Sequence, residues 1–502
     1  MAEIDSQLPD PGAQPGAGFG YAQQFPRVLR RFALFAVAFS IVSITTGIFV
    51  NYSYGLLAMG PAAIWLWPVA AVGQLLVVLV LAELAGHVPL AGANYQWAAR
   101  LVSSKFGYLV GALGVLYSAV GLPGIMLVGL APLTATVLGL DAEDGRLLVF
   151  IAVLALVVAY LVNIIRVQLA ARVNNVAVFA EIIGTVLLSL VVFFAWVRGG
   201  SSAPDGGHGV GFLFTVVTDQ PLFAAIVGAS LVGVFTLVGF EAAADLAEEA
   251  VDARRTVPRA MILSVVVSSV LGMLALVGFT LAIPDLALVS DSPVPLAVIA
   301  QYWLGDAATG LFLIIVIFSM FALAVVGAAA NSRLLFAMAR DNLLPFSAAL
   351  RTVNPRTGTP VPALLTSLGV CLVLLAYGSI DGDAFAVLIG ATALVPYLVY
   401  LLTLGGYLAR RRTLVAAGGG GFTLGVWAMP IAVLALLWLL AVVASLTLPE
   451  AFRSADYVVL GALALTGIWY VAVLRRRFAD GTAGIGSSTS STSTTPSTAQ
   501  EA

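Results

Sequence analysis

The sequence predicts an all-α integral membrane protein built from twelve transmembrane helices. Of the 502 residues, 61% are hydrophobic and only 10% are charged, and a water-soluble globule could not bury that much apolar surface. The chain contains twelve apolar stretches of membrane-spanning length. Its basic residues are concentrated in alternate segments between these stretches, which is typical of a polytopic membrane protein.

The predicted spans follow from the requirement of about 20 apolar residues to cross a hydrocarbon core of roughly 30 Å. They lie near residues 32–59, 61–86, 106–138, 146–165, 173–197, 221–250, 258–283, 307–336, 360–379, 384–409, 424–448 and 456–474. The first stretch is too long for a signal-peptide core, so it is interpreted as a retained span. Residues 1–30 form a predicted N-terminal tail, and the Ser/Thr-rich residues 479–502 are predicted to be disordered.

The distribution of basic residues predicts the orientation of the chain. If the N-terminus lies in the cytoplasm, 20 of the 23 basic residues fall on the inner side, and only Arg146, Arg198 and Arg453 fall outside. Cytoplasmic loops carry such an excess of Lys and Arg. The sequence therefore predicts a multi-pass protein of the cytoplasmic membrane with both termini inside and an even number of spans.

Composition also excludes several functional classes. A net charge of -2 gives no indication of nucleic acid as a partner. Cys371 is the single cysteine and His87 and His208 are the two histidines, so a metal, cofactor or histidine-based catalytic site is not expected. The chain has no nucleotide-binding loop. A channel or receptor would need a selectivity ring or a ligand domain, and an intramembrane enzyme a paired acid and nucleophile, none of which is visible.

Spans 1 and 6 are each nearer thirty residues than twenty, so they must tilt or break. Hydroxyl and glycine residues, which tolerate a break, lie near the centre of both: Ser43, Thr45, Thr46 and Gly47 in span 1, Thr236 and Gly239 in span 6. The predicted windows for a break are about Ser43 to Gly47 and about Phe235 to Glu241. Interrupted helices at matching places indicate a transporter with inverted repeats, and the five-span offset inverts the second half. The alternative is that span 6 stops at Phe240 and an acidic cytoplasmic helix follows.

The acidic block after span 6 is compatible with both interpretations. Glu241, Asp245, Glu248 and Asp252 are spaced by four, three and four residues, which predicts one stripe on a helix. Such a stripe suits a water-filled vestibule and a solvated surface helix equally well.

Three blocks of the sequence resemble the amino acid, polyamine and organocation permease superfamily. They are AELAGHVPLAGANYQWAARL after span 2, GFEAAADLAEEAVDARRTVPRA at span 6, and ANSRLLFAMARDNLLP with NPRTGTPVPALL beyond span 8. The blocks occur in the family's order, and the resemblance covers roughly residues 28–478. The residues just before span 11 are similar to those of the branch of this superfamily that carries amino acids, choline and 4-aminobutyrate.

The resemblance implies a permease domain over residues 31–478. Its core would be a bundle of ten helices in two inverted repeats, residues 32–197 and 221–409, followed by two extra helices over residues 424–474. Helices 1 and 6 would be unwound around the substrate. The implied function is secondary transport of amino acids or related amines by alternating access.

No Arg or Lys lies in the middle of any predicted span. A substrate carboxylate would have to meet backbone N–H groups where a half-helix begins near Thr46 and Gly47. Carbonyls freed near Thr236 and Leu237 would receive an ammonium group. The resemblance adds Ser43, Ile44 and Thr45 to the pocket, Phe235 as an outer gate, and Gly239 and Phe240 at the break. The alternatives are that the Thr45 and Thr46 hydroxyls bond to their own helix and that Phe235 only packs.

Glu181 is the predicted proton-coupling residue. It lies about seven residues, roughly 10 Å, inside span 5, where a charge costs about 2.5–3.5 kcal/mol on insertion scales. Proton binding relieves that cost, and the resemblance places a titratable residue in helix 5. Glu241 is the rival candidate, and packing alone is the alternative role for Glu181. Sodium is less favoured because span 8 lacks an adjacent Ser/Thr pair, and an amine exchanger would share every motif.

Overall fold

The computed structural model describes residues 19–199, 208–290, 292, 294–380, 382–416, 421–448 and 453–485. The predicted tail regions 1–18 and 486–502 lie outside the described residues. Within the described ranges the secondary structure is helical, and extended pairing is limited to two isolated bridges, Leu29 with Ala250 and Asn354 with Thr359. The predicted all-α class is therefore confirmed for these residues.

The described chain forms nineteen α-helices, several of which continue into one another through a short irregular turn. They are α1 (Arg31–Val42), α2 (Ile44–Met59), α3 (Leu66–His87), α4 (Ala93–Leu101), α5 (Ser104–Gly124), α6 (Ala131–Val137), α7 (Gly145–Ile165), α8 (Val167–Gly199), α9 (Leu222–Thr236), α10 (Ala242–Asp245), α11 (Ala253–Leu281), α12 (Leu286–Ser290), α13 (Pro295–Arg340), α14 (Ser347–Leu350), α15 (Val361–Ile380), α16 (Gly382–Ala416), α17 (Ala428–Thr447), α18 (Arg453–Trp469) and α19 (Arg475–Ala479). A non-helical Gly305 interrupts α13.

Ten helical stretches of the described chain are long and apolar enough to cross a membrane. One of them, Arg31–His87, contains α1, α2 and α3, and the apolar α9 is shorter than the others. The outward faces of these helices carry large apolar side chains, such as Phe150 and Val373, which are 63% and 68% exposed. Lipid is the environment in which such faces are stable, so the chain is a multi-pass membrane protein.

The helices of spans 1 and 6 lie against each other at the centre of the bundle. The second half of span 1, α2, runs along α9, while α1 contacts α10 and α11. Helix α13 contacts α1, α2 and α10, and α8 packs against α1. Small residues permit this close packing: a Cβ on Gly55 would lie 2.8 Å from a methyl group of Val232. Both predicted breaks are thus brought into one region of the fold.

The acidic block does not form the predicted stripe. Helix α10 ends at Asp245, and the next residue, Leu246, leaves the helical conformation with φ -98° and ψ 16°. A short 3-10 turn follows, and Asp252 then adopts a left-handed φ of 53°. The prediction of one continuous helical face from Glu241 onward is wrong, because the chain turns twice within the block.

Buried ion pairs hold this turn in place. Glu249 accepts a hydrogen bond from Arg333 at 2.7 Å, and both side chains are 1% exposed. Glu248 pairs with Arg340 at 3.0 Å and also accepts from the Ala91 N–H group at 3.1 Å. The two neighbouring glutamates therefore bind two different arginines of α13, which is incompatible with a solvated stripe.

An N-terminal strap, residues 19–30, crosses the same side of the bundle. It pairs with the acidic block, since the Leu29 N–H group donates to Glu249 O at 3.0 Å and Val251 N–H donates to Leu29 O at 2.9 Å. Farther along, the Tyr21 hydroxyl donates to Asp341 Oδ1 at 2.7 Å. Burial, and next the Asp341 carboxylate, raise the pKa of Tyr21, so the phenol remains the donor.

The described start of the predicted C-terminal tail contacts the same side. Gly484 N–H donates to Asp341 O at 2.9 Å, and Ile485 N–H donates to Ser104 Oγ at 3.2 Å. The strap and this segment therefore meet at the end of α13.

Candidate functional site

The break in span 1 is a single residue, Ser43, which lies between α1 and α2 with a left-handed φ of 32° and ψ of 88°. Its N–H group still donates to Phe39 O at 2.8 Å, so α1 closes its last turn there. The hydroxyl of Ser43 donates to Thr46 Oγ1 at 2.6 Å. A hydroxyl-rich sequence can satisfy polar groups at such a break, which is why the interruption occurs within the predicted window.

Glu181 of α8 holds the start of α2. Its Oε1 atom accepts hydrogen bonds from the Thr45 N–H group at 3.1 Å and from the Thr45 hydroxyl at 2.8 Å. A third, longer bond comes from the Ser43 hydroxyl at 3.2 Å, whose single proton is shared with Thr46. The Glu181 side chain is 1% exposed, and no described residue forms an ion pair with it. A carboxyl group therefore occupies the positive end of the half-helix.

The groups near Thr46 and Gly47, which the sequence predicts to receive a substrate carboxylate, already have partners within the protein. Gly47 N–H already donates to Ser43 O at 2.9 Å, and the Thr46 hydroxyl already accepts from Ser43. Ile44 is buried. In this structure the start of α2 is thus engaged by the protein itself, and Glu181 lies where the sequence predicts a substrate carboxylate.

Gly47 instead permits contact between the two broken helices. A Cβ added to Gly47 would lie only 2.7 Å from the Cβ of Thr236 and would overlap that side chain. The Thr236 hydroxyl donates to the Val232 carbonyl of its own helix at 2.6 Å. The glycine is required here for helix packing, since no side chain fits between α2 and α9.

The break in span 6 follows α9 and centres on Gly239, which has a left-handed φ of 88°. Only glycine fits, because a Cβ would overlap the side chain of Ile41. Two tyrosines of α16 form hydrogen bonds with backbone groups at this break. Tyr400 Oη accepts from Gly239 N–H at 3.0 Å, and Tyr397 donates to Val234 O at 2.8 Å. Span 6 is therefore interrupted within the predicted window.

The remaining predicted residues of span 6 are packed rather than open. Leu237 and Phe240 are fully buried, and the Phe240 ring stacks on Tyr400 with a centroid distance of 5.4 Å. Phe235 is partly buried and packs on the hydrophobic core. These contacts match the packing alternative for Phe235 in this structure.

Glu241 and Asp245 follow the break, and their environments differ. Glu241 Oε2 accepts a hydrogen bond from the Tyr400 hydroxyl at 2.6 Å. Asp245, four residues later and so on the same side of α10, has neither a hydrogen bond nor an ion pair to its side chain from the described residues. Among the described residues, Glu241 is therefore held by a hydrogen bond from Tyr400, and Asp245 is not held in this way.

Both carboxylates line a cavity of about 110 Å³ between spans 1, 3, 6, 8 and 10. Among the residues that the structure describes, its polar lining consists of Asn94, Tyr95, Tyr117, Ser118, Glu241 and Asp245, without Lys or Arg. By the same measure one water needs roughly 10–15 Å³, so a small organic molecule fits. The cavity lies on the side of the breaks that faces α4.

Of the predicted site residues, only Gly239 and Glu241 line this cavity. Residues 43–47 lie at the Glu181 contact, and residues 235–237 and Phe240 are packed nearby. The sequence reasoning missed Asn94, Tyr117 and Ser118. Asn94 lies in the block after span 2, and the Tyr-Ser pair interrupts an apolar span, which is the signal that could have identified them.

The chain is similar to known amino acid permeases over most of its length. The family model described as amino acid permease matches residues 29–470. The chain is similar to the amino-acid permease BAT1 of Arabidopsis thaliana, with 25% identity over 469 residues, 86% of this chain and 87% of the relative. It is 28% identical to the GABA-specific permease of Saccharomyces cerevisiae, over 71% of this chain and 65% of the relative. The thiamine transporter thi9 of Schizosaccharomyces pombe is 26% identical, over 76% and 71%.

Proposed function

This chain belongs to the amino acid permease family, and on that basis we propose that it is a secondary transporter of amino acids or related amines. Its location would be the cytoplasmic membrane, with both termini inside, as the basic residues predict. The named relatives that carry GABA and thiamine support amines of different kinds as the cargo class. Chemical conversion of the cargo has no part in this function.

The proposed architecture has twelve spans. As one helix, the 57-residue stretch Arg31–His87 would be roughly 86 Å long at 1.5 Å per residue, far more than a membrane, so it is counted as two spans. Span 6 is α9 together with the broken segment that follows. Spans 1–5 and 6–10 then form two inverted repeats, and spans 11 and 12 are the extra helices.

Contacts at the two breaks support the repeat scheme. In the first repeat, Glu181 of span 5 bonds to Thr45 at the break of span 1. In the second, Tyr400 of span 10 bonds to Gly239 at the break of span 6. The fifth helix of each proposed repeat thus holds the broken first helix of the same repeat.

The observation that carries the proposed mechanism is the contact between Glu181 and the break of span 1. A buried carboxyl that accepts three hydrogen bonds at a hinge changes its hold on that hinge when it gains a proton. We place the coupling proton on Glu181, with Glu241 as the second candidate. Residues 43–47 and 235–237 would rearrange as the path opens during alternating access, while Gly239 and Glu241 contact the cargo.

Uptake by the purified protein in proteoliposomes tests this function. Labelled amino acids and amines are offered with an inward pH gradient, with a sodium gradient, or with unlabelled cargo inside and no gradient. Accumulation that follows the pH gradient supports proton symport. Uptake only against internal cargo would instead identify an exchanger, accumulation driven by sodium would identify a sodium symporter, and no uptake in any condition would contradict transport.

A further inference from the structure

The charge of the cavity beside α10 indicates the class of cargo. We propose that Glu241 and Asp245 bind the positively charged end of an organic amine, and that the cargo needs no carboxylate. This inference rests on the proposed transport function and narrows it. The described residues that line the cavity include two carboxylates and no lysine or arginine, so the electrostatic complement of this lining is a cation.

The unsatisfied polar groups point to the same ligand. Asp245 has no partner for its carboxylate among the described residues, and one hydrogen bond, from Tyr400, reaches Glu241. Asn94 lines the cavity, is 9% exposed, and its buried Oδ1 has no hydrogen-bond donor. A buried acceptor without a donor is costly, and an ammonium group brings several donors to one point.

In the conformation of this structure, the described residues near the breaks offer no free receptor for a carboxylate on the cargo. The positive end of α2 is occupied by the Glu181 carboxyl. The arginines on the α4 side are already engaged, since Arg333 and Arg340 pair with glutamates and Arg100 lies over the Phe19 ring at 4.7 Å. These cations lie close to this part of the fold, but none of the three is among the described residues that line the cavity.

The aromatic lining favours the cation further. Tyr95 and Tyr117 line the cavity, and aromatic faces attract ammonium groups. The Tyr95 hydroxyl is bonded to Asp341, which leaves its ring as the group available to a ligand. An alkylamine of a few heavy atoms satisfies the acidic and the aromatic sides of the cavity together.

Two ligands of matched size test this inference. Butylamine and 4-aminobutyrate share the amine and the carbon chain, and differ in having a methyl or a carboxylate at the far end. Binding of each to the purified protein is measured by calorimetry in detergent. We expect butylamine to bind at least about tenfold more tightly, a difference of about 1.4 kcal/mol. Equal or tighter binding of 4-aminobutyrate, or no butylamine binding at millimolar concentration, would overturn the inference.

Variants assign the binding to the two carboxylates. Asp245→Asn should weaken butylamine binding about tenfold or more, and Glu241→Gln should do the same. Asp219→Asn is the matched control, because Asp219 is exposed in a loop and should leave binding unchanged. Loss of affinity in the control, or full affinity in both site variants, contradicts the assignment. If a site variant does not fold, the comparison of butylamine and 4-aminobutyrate binding to the wild-type protein still tests the inference.

The two proposals fail in different experiments. Amine binding without any uptake in proteoliposomes would remove the transport function and leave the cation site. Uptake of zwitterionic amino acids that butylamine does not inhibit would remove the cation inference and leave the transport function.

Discussion

Replacing Glu181 by glutamine separates the charge of this side chain from its hydrogen bonds. The amide keeps an oxygen in the position of Oε1, which accepts from Thr45 N–H, from the Thr45 hydroxyl and from Ser43. The substitution removes the charge and the ability to gain and release a proton. Hydrogen bonds to a charged acceptor contribute about 1.5–3 kcal/mol and neutral ones about 0.5–1.5, so Glu181→Gln costs about 1–1.5 kcal/mol per bond.

The expected transport defect is larger and specific. With the membrane potential held at zero, an inward gradient of one pH unit supplies about 1.4 kcal/mol per proton, a tenfold concentration ratio for cargo coupled to one proton. The wild-type protein should approach that ratio, whereas Glu181→Gln should only equilibrate its cargo. Exchange of labelled for unlabelled cargo at equal pH should persist in the variant, because exchange does not require the return of a proton-free carrier.

Two further variants make the assay interpretable. Glu143→Gln changes an exposed loop carboxylate and should accumulate cargo like the wild type. Glu181→Ala removes all three acceptor contacts and leaves the buried Thr45 N–H group unpaired, at a cost of about 1–3 kcal/mol for that group, so both accumulation and exchange should fall. Undiminished accumulation by Glu181→Gln would exclude this residue from coupling and leave Glu241 as the candidate.

Three other substitutions test contacts that hold the fold, the first two through the thermal stability of the purified protein and the third through limited proteolysis. Gly47→Ala should lower stability and uptake by overpacking of about 1–3 kcal/mol, and adding Thr236→Gly should restore part of both; a stable single variant would contradict the close helix contact. Arg333→Ala should cost about 3–5 kcal/mol because it leaves Glu249 buried without its partner, and the double variant Arg333→Met with Glu249→Gln should recover part of that loss. Tyr21→Phe should make the N-terminal strap cleave faster in limited proteolysis, and unchanged cleavage would show that its hydrogen bond does not hold the strap.

The breaks in spans 1 and 6 could be predicted because their causes are local. An overlong apolar run with hydroxyl residues and Gly47 near its centre indicates an interruption, and the structure has one at Ser43. The same reasoning located the break at Gly239. The depth of Glu181 could be counted along one helix, and that isolated acid does lie in the buried interior.

The contacts of these residues could not be predicted, because they join distant parts of the sequence. Glu181 and Thr45 are 136 positions apart, and no spacing rule reveals that a carboxyl will occupy the half-helix that otherwise suits a substrate carboxylate. The stripe from Glu241 onward failed for the same reason. Helical spacing assumes a continuous helix, whereas pairing of Glu248 and Glu249 with arginines of α13 bends the chain.

The chemical difference between the two hinge contacts gives the proposed cycle a direction. A phenol, Tyr400, holds the break of span 6 and keeps its proton under physiological conditions, so that contact stays constant. A carboxyl, Glu181, holds the break of span 1, and protonation weakens its attraction for the three donors around it. The proton therefore loosens one hinge and leaves the other fixed. Under the proposed mechanism, span 1 is the helix whose movement responds to the proton gradient, while span 6 presents Glu241 and Asp245 to the cargo.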